Sequence, residues 1–137
     1  MEFFANLHQF GDWGLLALRI AVGAIFLFHG TQKWAMWKMK PSEQMPAGMI
    51  SLMKFLSIVE PLGALAVLGG FLTQLAAAGL GVIMIGAISL KMSMMKVPFT
   101  ANDKTGWEFD FVILSACIAL FVLGAGTIGL DKIIFGR

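Results

Sequence analysis

A single cysteine, Cys117, leaves this 137-residue chain without an internal disulfide and without a C-x-x-C redox pair. It stands in the apolar run Ile113-Leu114-Ser115-Ala116-Cys117-Ile118, where a small buried apolar residue is the expected role. Histidine is as scarce. His8 and His29 fall near opposite ends of the first apolar region, so a bis-histidine haem would need two chains. Charge is thin as well: 13% of residues carry one, against roughly a quarter in an ordinary soluble domain. A net charge of +2 with no basic stripe is too small to argue for nucleic acid, and no nucleic-acid partner is expected. No G-x-x-x-x-G-K, G-x-G-x-x-G, H-E-x-x-H or G-x-S-x-G pattern occurs, which leaves no self-contained catalytic motif.

What fills the chain instead is apolar: 58% of it is hydrophobic and the mean hydropathy is +0.84. A soluble fold of this size buries only about two-thirds of its unfolded surface and could not hide so much. Lipid removes the difficulty. Four apolar runs, about 15–34, 49–71, 75–92 and 109–128, each approach the ~20 residues needed to cross ~30 Å of hydrocarbon. They do not alternate polar and apolar as barrel strands do, so they read as helices. The fold class is therefore all-α, an integral membrane bundle of four transmembrane helices forming one domain over residues 1–137. The first run lacks a basic leader (Glu2 and Asp12 precede it) and exceeds the ~7–15 residues of a cleavable signal core, so it is expected to remain as a span.

Breakers mark the connections. Pro41, Ser42, Pro46 and Gly48 follow the first span, and Pro98, Asn102 and Gly106 follow the third. Gly69-Gly70-Phe71-Leu72-Thr73-Gln74 is short enough to make spans two and three a tight antiparallel hairpin. With four spans, the termini and the second loop share one membrane face, and loops one and three share the other. Lys33, Lys38, Lys40, Lys54, Lys91, Lys96 and Lys104 belong to the loop face, while Arg19, Lys132 and Arg137 fall toward the termini face. The positive-inside rule then predicts loops 35–48 and 96–106 in the cytoplasm and both termini outside.

Ionisable groups inside a span are costly and ordinarily have a partner or a task. Arg19 lies about one turn inside span one, and the spacing predicts either snorkelling to the headgroups or an ion pair with Asp131. At 100° per residue, Arg19, Val22, Gly23, Phe26, His29, Gly30 and Lys33 share about 120° of one helix face. Glu60 lies near the middle of span two, ~12 Å from either end. Pro61 follows it, frees the Ser57 carbonyl and tends to kink the helix. A structural pairing of Glu60 with Arg19, His29 or Lys33 and a functional role weigh equally at this point. His29, Gln32, Lys33, Lys91, Glu108 and Asp110 gather toward the loop face, forming with Glu60 a candidate ligand-binding or proton-handling cluster. Trp34, Trp37 and Trp107 at that level are accounted for by an interfacial aromatic belt. Met36, Met39, Met45, Met49, Met53, Met92, Met94 and Met95 crowd the same face; adaptable packing is preferred there to a soft-metal site, and no metal is expected.

The stretch Arg19-Ile20-Ala21-Val22-Gly23-Ala24-Ile25-Phe26-Leu27-Phe28-His29-Gly30, with Gln32-Lys33, resembles the first-helix signature of the DoxX family. Glu60-Pro61-Leu62-Gly63 and Gly69-Gly70-Phe71-Leu72-Thr73-Gln74-Leu75-Ala76-Ala77 are similar to its second helix and turn. Gly106-Trp107-Glu108-Phe109 and Gly124-Ala125-Gly126-Thr127-Ile128-Gly129-Leu130-Asp131 are similar to its fourth helix and exit, so the likeness spans roughly residues 15 to 131. Gln74 and Thr127 stand where the family often has a basic residue, and Ala125 where it often has proline. The resemblance implies a bacterial inner-membrane protein linked to membrane redox complexes, among them thiosulfate:quinone oxidoreductase and an oxidative-stress assembly.

Three functional expectations follow. The leading one is a redox-associated membrane subunit that holds a quinone-like or other small polar-headed molecule, with His29 and Glu60 bonding the headgroup and Lys33 nearby. No cofactor is intrinsic to the chain, and a redox partner protein would supply electrons. The second is a non-enzymatic scaffold or assembly factor for a partner protein. The third is a small proton-coupled transporter, working as a homo-oligomer with Glu60 as its proton site. The lipid bilayer is a partner in all three.

Overall fold

The computed structural model describes residue 4 and residues 6–136, so Glu2 and Arg137 lie outside the described residues. Every regular element among the described residues is helical. After a 3-10 turn at Leu7–Phe10 come α1 (Gly11–Gln32), a second 3-10 segment at Lys33–Lys38, and α2 (Ala47–Gly69). Then follow α3 (Thr73–Ser93), α4 (Trp107–Leu123) and a short α5 (Leu130–Phe135). The helices α2, α3 and the continuous stretch Leu7–Lys38 are each long and apolar enough to cross a membrane. The 17 residues of α4 extend ~26 Å at 1.5 Å each.

The chain is an all-helical membrane bundle with the four long helices in the expected order. One boundary differs notably. The fourth apolar run does not continue to residue 128, because Gly124 (φ +74°) and Gly126 (φ +73°) turn the backbone left-handed after Leu123. Ala125 through Gly129 then lead into α5.

Side-chain apolarity is distributed as lipid requires. Val22, Phe26, Ala64, Val67, Ala77, Leu80, Met84, Ile113, Cys117 and Leu120 form one continuous core among the four helices. Ile20, Phe28, Leu62, Val82, Val112 and Val122 point outward and exposed, where hydrocarbon rather than water meets them.

Close helix approach comes from glycine. A methyl group on Gly23 would run into Leu68, and one on Gly30 would lie 2.5 Å from Pro61 Cδ. The two glycines, seven residues apart on one face, let α1 lie along α2. Gly63 is similarly covered by Leu80 across the α2–α3 seam.

The α2–α3 turn is built from a left-handed C-cap. Gly70 has φ +65°, Phe71 N–H donates to Ala66 O at 2.9 Å, and Gly70 N–H donates to Val67 O at 3.1 Å, a Schellman ending. Leu72 follows with φ +48°, a conformation unfavourable to a branched side chain. The tail holds it there: the Asp131 carboxylate accepts the N–H groups of Leu72 (2.6 Å) and Thr73 (2.9 Å), capping α3 from a distant point in sequence.

Candidate functional site

Lys33 and Glu60 form a direct ion pair across the α1–α2 seam. Glu60 is 2% exposed, and Lys33 reaches it from the first residue after α1. Of the three structural partners open to Glu60 in the sequence, Lys33 is the one bonded to it. Its neighbour Ser57 is also buried, and both of its oxygens are engaged. The Ser57 carbonyl, left free by Pro61, accepts the Trp34 indole N–H at 2.9 Å. The Ser57 hydroxyl accepts the Trp37 indole N–H at 3.0 Å and donates to Lys54 O at 2.7 Å. The Lys54 ammonium stands 5.5 Å from the centre of the Trp37 ring, within cation–π range. Trp34 and Trp37 therefore do more than mark an interface: they seal the polar break that proline makes in α2.

Outside this seal lies a shallow groove of about 580 Å³, lined by Trp34, Trp37, Ser57, Ile58, Pro61 and Leu62. It opens on the outer side of the bundle. Lys33 precedes Trp34 and Glu60 precedes Pro61, so the ion pair is adjacent in sequence to the groove wall on both helices.

The remainder of the loop-face cluster is divided. His29 and Gln32 are exposed. His29 is one residue, hence 100° of helix, from the Gly30 face that meets α2, and its ring lies 6.1 Å from that of Phe109 on α4. Lys91 and Glu108 belong to the α3–α4 side. Lys91 Nζ is 2.6 Å from Asp110 Oδ2 and donates to Gly106 O at 3.4 Å. Glu108 folds back over Gly106; its Oε2 is buried with no hydrogen-bond partner among the described residues, while its N–H donates to Phe99 O at 3.1 Å. The structure thus makes two separate ion pairs, Lys33–Glu60 and Lys91–Asp110, where one cluster is expected from sequence.

Arg19 neither snorkels nor pairs directly with Asp131. It is 1% exposed and donates to four main-chain carbonyls: Val67 (2.8 Å), Leu68 (2.7 Å), Ala125 (3.0 Å) and Ile128 (2.7 Å). The first two are end carbonyls of α2, which a cation satisfies well. Asp131 bonds the α3 N-terminus, so the two charges serve neighbouring helix ends and attract each other through space without a direct hydrogen bond. A methyl on Gly70 would lie 2.6 Å from Arg19 Nη2, which keeps that position glycine for space as well as for φ.

Sequence reasoning missed Asp12 as a site residue. Its carboxylate accepts the N–H of Thr127 at 3.1 Å and also the Thr127 hydroxyl. Gln74 donates its amide to Phe121 O at 2.8 Å. Through these bonds Thr127 and Gln74 fasten the termini face. These residues, with Leu72, Thr73, Asp131, Lys132 and neighbours, line a second cavity of about 510 Å³. The signal available for Asp12 was an acidic residue at the start of a span, opposite a glycine-rich exit.

No solved structure matches the chain. A protein of Bacillus subtilis (strain 168) named "Putative oxidoreductase CatD" is 30% identical over 124 residues, covering 89% of this chain and 87% of that one. The DoxX family model matches residues 14–94, from the start of α1 through the end of α3 and over the Lys33–Glu60 pair, and the chain belongs to the DoxX family.

Proposed function

We propose that this chain is the membrane subunit of a redox system, and that the Trp34–Trp37 groove holds the flat head of a quinone-like molecule beside Lys33 and Glu60. The observation that carries the reading is the conjunction of an aromatic-walled groove, open to the membrane, with a buried ion pair in the same two helices. A quinone head is planar, apolar on its faces and hydrogen-bonding at its oxygens. Tryptophan faces suit the first two properties. The Lys33 ammonium offers a donor to a quinone oxygen, and the Glu60 carboxylate an acceptor for a hydroxyl of the reduced form. The electrons come from a partner protein, because a lone thiol at Cys117 cannot run a dithiol cycle. The name of the Bacillus relative supports the redox assignment. In this reading the protein sits in a bacterial inner membrane with loops 35–48 and 96–106 cytoplasmic.

Native mass spectrometry with lipid extraction tests it on wild type, Glu60→Gln and Leu62→Trp. Leu62 is exposed at the groove, so a tryptophan there fills the space without touching the ion pair. A quinone retained by wild type and lost from both variants is the expected result. Bulk phospholipid alone in all three overturns it.

A specific observation favours the scaffold as the second reading. Arg19, Glu60 and Asp110, the buried charged residues among those described, each have a protein partner. Charges that join helices in this way serve the bundle itself. Co-purification of a stable partner, with nothing held in the groove, selects this reading.

A further inference from the structure

The four long helices form two hairpins, and the fastenings between them lie at one end. Loop one joins α1 to α2 and loop three joins α3 to α4, so the chain passes between hairpins at the Gly70-Phe71-Leu72 turn on the termini face. The polar ties between hairpins cluster there. Arg19 on α1 reaches Ala125 O and Ile128 O beyond α4, Thr127 bonds Asp12 on α1, and Asp131 N–H donates to Gly70 O at 2.7 Å.

At the loop end, the described bonds stay within a hairpin. Lys33–Glu60 and the tryptophan bonds to Ser57 join α1 to α2, while Lys91–Asp110 joins α3 to α4. In α3, burial follows the same polarity. The buried residues of α3 are Thr73, Ala77, Leu80, Gly81 and Met84, and none follows Met84 before the helix ends at Ser93. Ile50 and Val97, buried nearer the loops, lie outside the continuous core. The described ring contact across the seam at this level is His29 with Phe109.

We propose that the bundle is a clamp: two internally locked hairpins hinged at the termini face, which part at the loop end along the α1–α4 seam, where His29 meets Phe109. The ion pair inside each hairpin keeps it rigid, and rigid bodies joined at one end move by hinge rotation. Domain motions of this kind run on the microsecond-to-millisecond scale, so frozen samples trap their spread as a distribution of distances.

Pulsed electron spin resonance in nanodiscs measures that spread. In a Cys117→Ala background, spin labels are attached through Leu52→Cys with Met92→Cys at the loop end. A second sample carries Trp13→Cys with Val122→Cys at the termini end. All four labelled residues are exposed, and each pair spans the two hairpins. The expected result is a loop-end distribution at least about twice as wide as the termini-end one, with a population at longer distance. Adding Thr127→Val and Asp12→Ala, which cuts the outer hinge contact, widens the termini-end distribution. Equal widths at both ends overturn the clamp, and an unchanged termini-end distribution in the hinge variant overturns the hinge assignment.

Discussion

Trp34 donates its indole N–H to the Ser57 carbonyl at 2.9 Å, the acceptor that Pro61 leaves without a helical partner. A proline in a lipid-embedded helix is tolerated where another group re-satisfies the freed carbonyl, and here that group comes from the neighbouring helix. Trp34→Phe keeps the ring and removes the donor, so it is expected to destabilise the protein by about 1–3 kcal/mol through one orphaned acceptor. Pro61→Ala restores the helical donor to Ser57 and is expected to make Trp34→Phe nearly neutral. Thermal unfolding in mild detergent across the four-member cycle checks this; additive losses would show that Trp34 acts by packing alone.

The Lys33–Glu60 pair separates folding from function. Removing one partner strands a buried charge, and either Lys33→Met or Glu60→Leu is expected to cost about 3–5 kcal/mol. The double replacement removes both charges and is expected to recover most of that stability, because a buried pair contributes little beyond an apolar pair of similar size. The same double variant is expected to retain no quinone if the proposed site is correct. Stability restored together with unaltered ligand retention would make the pair structural only.

Much of this architecture was legible in the chain, and the reason is solvent. In hydrocarbon the backbone must bond within its own segment, so long apolar runs dictate helices, and Glu60 beside Pro61 stands out at once. The pairings were less legible. A helical wheel placed His29 and Lys33 on one face, but its 120° window is wide enough to hold two neighbours, and α2 covers Gly30 and Lys33 while His29 meets Phe109. Arg19 and Asp131 looked like an ion pair because their charges are opposite and share a membrane face. Sequence carries no record of which carbonyls a fold turns toward a cation, and four of these claimed the guanidinium. The end of α4 was set by two glycines whose apolar context made them read as membrane-spanning.

Arg19 offers a test of that distinction. A guanidinium presents five donors in a planar fork, whereas an ammonium is a point charge that cannot reach four spread carbonyls. Arg19→Lys is therefore expected to destabilise strongly, by on the order of 2–4 kcal/mol, although the charge is kept. Asp131→Asn keeps one acceptor oxygen for the two N–H groups and is expected to cost about 1 kcal/mol. Chemical denaturation of the single and double variants reads the coupling: the neutral pair Arg19→Met with Asp131→Asn is expected to show no rescue. Recovery in that double variant would establish the direct charge pairing that the geometry lacks.

Glycines of the same spacing give opposite expectations on two faces of the bundle. Gly23 and Gly30 are seven residues apart and pressed against α2, where an added methyl at Gly30 meets Pro61 at 2.5 Å and Glu60 Cβ at 3.1 Å. Proline in a helix cannot yield as a flexible side chain tip does, so Gly30→Ala is expected to push the helices apart and lose about 1–3 kcal/mol. Gly79 and Gly86, also seven apart, have nothing within 4 Å of an added methyl. There the helical preference of alanine acts alone, and Gly86→Ala is expected to be neutral or stabilising by about 0.5–1 kcal/mol. Unfolding midpoints for both variants in the same detergent check the contrast. A loss at Gly86 comparable to that at Gly30 would mean that the outer face of α3 is packed against another protein surface in the membrane.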